Sequence, residues 1–71
     1  MWMKLKPNIE KLIKESGLRK DFISTKIGIS TRMLRKYEKG ESIMPMEKAY
    51  ILARLLGVRV DDLYEYEGDE S

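Results

Sequence analysis

The sequence predicts an all-α fold, a single compact bundle of five short helices, and three observations carry that prediction. Apolar residues recur at intervals of three and four, the rhythm of helices that bury one face. Glycines stand just past the apolar stretches, where a left-handed residue closes a helix. No segment of strand length alternates β-branched and polar residues, and no internal repeat interrupts the pattern.

Leu5, Ile9, Leu12 and Ile13 fall at i, i+4, i+7 and i+8, one face of a first helix placed at about 7–15, opened by Pro7 and Asn8 and closed by Ser16 and Gly17. Leu18, Phe22, Ile23 and Ile27 mark a second helix near 20–26. Gly28 ends it, because a residue without a β-carbon takes the left-handed turn at little cost. Ile29 and Ser30 make a tight connection, and Ser30 is a good N-cap for a third helix at about 31–38 that Gly40 stops. A polar stretch then leads to Pro45, tolerated in a first helical turn, and to a fourth helix near 46–55 whose buried stripe is Ala49, Leu52, Ala53 and Leu56. After Gly57, Val60, Leu63 and Tyr64 suggest a short fifth helix with Asp61 and Asp62 at its positive end. The apolar spacing stops at Tyr66, so one domain is expected over residues 1–66 and a short acidic disordered tail over 67–71.

Composition excludes most chemistry. A chain of 71 residues with 42% hydrophobic content buries one modest core and cannot enclose a large catalytic cavity. It has neither His nor Cys, hence no imidazole base, no thiolate, no disulfide and no Cys/His zinc site. Ser24, Ser30 and Ser42 therefore have no base to activate them, and an enzyme is not expected. The acids Asp61, Asp62, Glu65, Glu67, Asp69 and Glu70 lack the glycine-centred loop of a calcium site and read as a solvated tail. No metal, cofactor or small-molecule ligand is expected. Trp2 and Tyr66 read as packing at the edge of the core, and Tyr37 and Tyr50 as buried. The longest apolar run, Ala49 to Ala53, is too short to span a bilayer or serve as a signal, so a cytoplasmic protein is expected.

The formal charge of +2 hides an asymmetry. All fourteen Lys and Arg lie in residues 1–60 beside six acids, a net +8, while the last eleven residues carry the other six acids. A basic body points to a polyanionic partner, and an acidic tail is expected to repel that partner or to cover the basic face.

The third helix sharpens this reading. Met33, Leu34 and Tyr37 project to one side of it, and Arg32, Arg35, Lys36 and Lys39 to the other, within roughly 100° of arc. An ordinary solvated face mixes signs to form i,i+4 pairs, whereas this one is wholly positive. Apolar anchorage behind and long donors in front are what a helix entering a DNA major groove requires.

Gly17-Leu18, Ile23 and Ile27-Gly28-Ile29-Ser30, followed by Leu34, Tyr37-Glu38, Gly40, Ala53, Leu56-Gly57-Val58, Val60-Asp61 and Leu63-Tyr64, resemble the Cro/C1-type (XRE) helix-turn-helix family. No one element is specific, but their joint spacing covers most of the chain. The resemblance implies a lambda-repressor-like five-helix DNA-binding domain. The chain departs from the family at several places. Arg19 and Lys20 stand where a Ser or Thr cap and a backbone-bracing Gln are usual, so the cap is lost while cationic grip on phosphate is kept. Ser24 replaces a small Ala. Ile13 replaces an Arg that pairs with the helix 3 glutamate in many members, leaving Glu38 to bond to nearby backbone or to a lysine.

A sequence-specific regulator of double-stranded DNA is therefore expected, a repressor or a control protein of phage, plasmid or bacterial origin. Thr31, Arg32, Arg35 and Lys36 are the expected base contacts, and Arg19, Lys20, Lys26 and Lys39 the expected phosphate contacts. A helix this short reads few base pairs, so a homodimer on two half-sites is expected, with Ile51, Leu55, Val60 and Tyr64 as its candidate interface. The alternative is a protein-binding module on the same fold, an antirepressor or antitoxin-like partner.

Overall fold

The computed structural model describes residues 4–67. Strand β1 (Lys4–Pro7) precedes helices α1 (Ile9–Ser16), α2 (Lys20–Ile27), α3 (Thr31–Lys39) and α4 (Met46–Leu56). A 3₁₀ turn (Val60–Leu63) and strand β2 (Tyr64–Glu67) follow. The helical bundle matches the expected periodicity, with four α-helices among the described residues where five helices were expected. The fifth is the 3₁₀ turn, too short for an α-helix, held by the Asp62 amide donating to the Arg59 carbonyl and by the Arg59 amide donating to Asp62 Oδ2 at 3.0 Å.

The all-α expectation also misses a two-stranded antiparallel ribbon in which β1 and β2 pair, Lys4 opposite Glu67, Leu5 opposite Tyr66, Lys6 opposite Glu65 and Pro7 opposite Tyr64. The register sets Lys6 against Glu65, opposite charges that favour pairing. It moves Leu5 out of α1, leaving it substantially exposed on β1. Glu67 belongs to β2, and Trp2, Asp69 and Glu70 lie outside the described residues, as does the Tyr66 side chain.

The core draws on every helix: Ile9 and Ile13 of α1, Ile23 and Ile27 of α2, Leu34 and Tyr37 of α3, Leu52 and Ala53 of α4, with Leu63 closing it. The Asn8 amide donates to the Leu63 carbonyl at 2.8 Å, which fastens the start of α1 to the 3₁₀ turn. Two of the described aromatic side chains fall outside this core. Phe22 on α2 is exposed, and Tyr50, expected to be buried, is 57% exposed on α4. At these positions the apolar spacing continues round the helix beyond the arc that its neighbours cover.

The connection from α2 to α3 fixes the angle between them. Gly28 sits at φ 87°, and the amides of Gly28 and Ile29 both donate to the Ser24 carbonyl, at 2.8 and 2.9 Å. Lys48 Nζ reaches from α4 to the Ile27 carbonyl at 3.1 Å, so a cation sits at the negative end of α2. Ser24 itself is buried, and its hydroxyl is satisfied by donating to the Asp21 carbonyl. A serine therefore fits where a smaller alanine would serve.

Candidate nucleic-acid interface

The first turn of α3 is capped as the sequence suggests: Ser30 Oγ accepts from the Met33 amide at 3.1 Å. Leu34 and Tyr37 are sunk into the core and Met33 is half-buried against it. Arg32, Arg35, Lys36 and Lys39 are exposed and together line one shallow depression of about 290 Å³, with Glu41 as the one carboxylate at its edge. Thr31 is exposed at the start of the same helix. None of the four cations has an ion-pair partner among the described residues. The face can therefore offer guanidinium and ammonium donors to a ligand without breaking an internal bond. Glu41 escaped the sequence reading because it lies beyond the Gly40 turn, off the helical pattern that revealed the cations.

The four expected phosphate contacts fall in different surroundings. Lys39 joins the α3 cluster. Arg19 is exposed just before α2 and pairs with Asp21 at 3.4 Å, a loose surface pair. Lys20, at the first position of α2, donates to Glu38 Oε1 at 3.1 Å and is still 47% exposed. Glu38 is 3% exposed, and its Oε2 is buried with no partner. Of the two outcomes expected for Glu38 without the family's arginine, the lysine is the one observed; Ile13, an apolar side chain buried in the core, offers the carboxylate no donor. Lys26 lies apart, its ammonium 5.6 Å from the centre of the Phe22 ring, lining a second depression with Ile51, Arg54 and Leu55.

The candidate interface residues divide into two groups. Ile51 and Leu55 share the depression with Lys26 and Arg54, whereas Val60 and Tyr64 share another with Leu5, Asp61 and Glu65. The Tyr64 hydroxyl accepts from the Met44 amide at 3.2 Å, so its position is fixed from within the fold. Among the described residues there is no cluster of acidic side chains able to hold a metal, and no helix is long and apolar enough to cross a membrane.

Two helices joined by a tight glycine turn, the second anchored by apolar residues and cationic on its free side, define a helix-turn-helix domain. Residues 9–63 match the helix-turn-helix family, and the chain belongs to that family, in its Cro/C1-type branch. It is similar to an uncharacterized HTH-type transcriptional regulator of Methanocaldococcus jannaschii, 30% identical over 54 residues that span 76% of this chain and 82% of the relative.

Proposed function

We propose that this protein is a sequence-specific regulator of transcription that binds double-stranded DNA by placing α3 in the major groove, and acts as a repressor or control protein. The observation that carries this reading is the outer face of α3, four cations with no ion-pair partner among the described residues, on a helix locked from behind by Leu34 and Tyr37. The family and the transcriptional regulator it resembles support the same reading. Thr31, Arg32, Arg35 and Lys36 read base edges, where an arginine fork matches the O6 and N7 acceptors of guanine. Arg19, Lys20 and Lys39 grip phosphates on either side. Lys26, turned toward Phe22 and α4, belongs to another surface. The protein binds as a symmetric dimer, which sets two copies of α3 about 34 Å apart along the duplex.

The test is a titration of duplex binding against salt. With five to eight phosphate contacts, log K falls with log salt at a slope of roughly −4 to −7. Absence of binding at low salt would overturn the proposal in favour of a protein-binding module.

A further inference from the structure

A cleft of about 580 Å³ lies between α1, the ribbon and the end of α3, and it shares no residue with the cationic depression on α3. Charged residues of both signs line it, three of each: Lys6, Lys11 and Lys14, and Glu10, Glu38 and Glu65. All but Glu38 are exposed. Glu10 and Lys14 stand four apart on α1, and Lys6 and Glu65 face each other across the ribbon. Among the described residues, neither couple closes into an ion pair. Glu38 is buried, and Lys20 holds its Oε1, but its Oε2 has no hydrogen-bond partner among the described residues. A buried acceptor left unmet costs folding free energy, and it marks a place that a donor would fill.

We infer that this cleft binds a free basic amino acid, lysine or arginine, with the cation of its side chain on Glu38 Oε2 and its α-carboxylate on Lys11 and Lys14. The floor calls for an N–H donor, and a charged donor makes the shorter and stronger bond to a carboxylate. Oε2 is closed to bulk solvent, so the donor reaches it at the tip of a slender arm. The exposed side chains of the rim, held in no ion pair among the described residues, can part to admit that arm. Lys11 and Lys14 lie at i and i+3 on one face of α1, where two ammoniums can share one carboxylate. The α-ammonium of the ligand is left for Glu10 or Glu65, so each sign in the cleft finds its opposite. Three carboxylates in the lining disfavour a phosphate or other polyanion, which sets this cleft apart from the α3 face. Its volume falls within the usual range of small-ligand sites. The inference does not depend on the DNA reading, and neither does its test.

The test is a titration of the full chain with L-lysine and with L-arginine, read by calorimetry and by backbone amide shifts. Two further probes each lack one end of lysine: norleucine has no side-chain ammonium, and cadaverine has no carboxylate. At least one of the two basic amino acids is expected to bind, with shifts centred on α1, the ribbon and Glu38. Norleucine and cadaverine are each expected to bind roughly tenfold or more weakly, the loss of one charge-assisted hydrogen bond. Lys11→Ala with Lys14→Ala, both exposed, is expected to weaken the amino acid by a similar factor, to leave cadaverine no weaker, and to keep the circular dichroism spectrum. Glu38→Gln removes the charge at the floor and is expected to abolish the preference for lysine over norleucine; if that variant does not fold, the comparison of the two probes on the parent decides the point. Norleucine binding as tightly as lysine, an amino-acid affinity indifferent to Lys11 and Lys14, or no binding of either basic amino acid would each overturn the proposal and leave Oε2 to an internal water.

Discussion

Lys20→Met removes the cation that the buried Glu38 depends on, and the consequence for stability follows from the surroundings of the pair. Glu38 is 3% exposed, its Oε1 lies 3.1 Å from Lys20 Nζ, and its Oε2 is buried without a partner. A hydrogen bond to a charged group contributes roughly 1.5–3 kcal/mol, and stranding a fully buried charge costs about 3–5 kcal/mol. Lys20 is 47% exposed, so water recovers part of that loss and the expected cost is about 2 kcal/mol. For a domain of this size that lowers the melting temperature by roughly 8–16 °C. Lys20→Met with Glu38→Met removes both charges and fills the same space with apolar atoms, and is expected to melt within about 1 kcal/mol of the parent. The assay is thermal unfolding by far-ultraviolet circular dichroism for the parent, both single variants and the double variant, which gives the coupling directly. A single variant that melts with the parent, or a double variant that melts as low as Lys20→Met, refutes the argument that Glu38 is held by this lysine. Duplex binding must then be compared well below the lowest melting point, since lost phosphate affinity and lost folding otherwise look alike.

Three further outcomes are open to measurement. Arg35→Ala is expected to cost about 1–3 kcal/mol on the preferred duplex selected from a random library and little on random duplex, whereas Lys39→Ala weakens both by a similar factor; an equal loss on both for Arg35→Ala would move it to the phosphate contacts. Ser30→Ala removes the acceptor of the Met33 amide and is expected to cost about 1 kcal/mol, seen as a drop of roughly 4–8 °C in thermal unfolding; an unchanged melt would deny the cap an energetic role. Deleting residues 68–71 removes Asp69 and Glu70 and raises the formal charge from +2 to +4 while leaving β2 intact. Non-specific duplex affinity is then expected to rise most at 0.01 M salt, where screening sets in at about 30 Å, and equal affinities at all salt concentrations would show that the tail does not repel DNA.

The helices and their glycine ends were legible because a helix writes its buried face into a window of a dozen residues. Ser30, Gly28, Leu34 and Tyr37 could each be placed from neighbours in sequence, and so could the cationic side of α3. The ribbon could not. β1 and β2 are four residues each, from opposite ends of the chain, and Lys-Leu-Lys-Pro becomes a strand only beside Tyr-Glu-Tyr-Glu. Periodicity is equally silent on how far a neighbour covers a helix, which is why Tyr50 was expected to be buried and is not. Lys20 shows the same limit within the site. Its charge was visible in the sequence, but its bond to a glutamate eighteen positions away was only one of two open outcomes.

The cost of the α3 face argues for its use. Arg32 with Lys36 and Arg35 with Lys39 are like-charge pairs at i,i+4, each destabilising by about 0.2–0.5 kcal/mol. Arg32 also lies in the first turn, where the helix dipole disfavours a cation, and α3 has no acid there to offset it. A solvated helix has no reason to keep such an arrangement, since a glutamate at any of the four positions would relieve it. What holds the helix in spite of the repulsion is local and structural: the Ser30 cap, the burial of Leu34 and Tyr37, and Glu38, the helix's own acid, turned inward to Lys20. The acid that could have neutralised the outer face is thus spent on joining α3 to α2, and the outer face keeps its charge for a polyanion. The same bond links the first residue of α2 to α3, so under the proposed function a phosphate held by Lys20 and a base read by Arg35 would be positioned by one joined pair of helices.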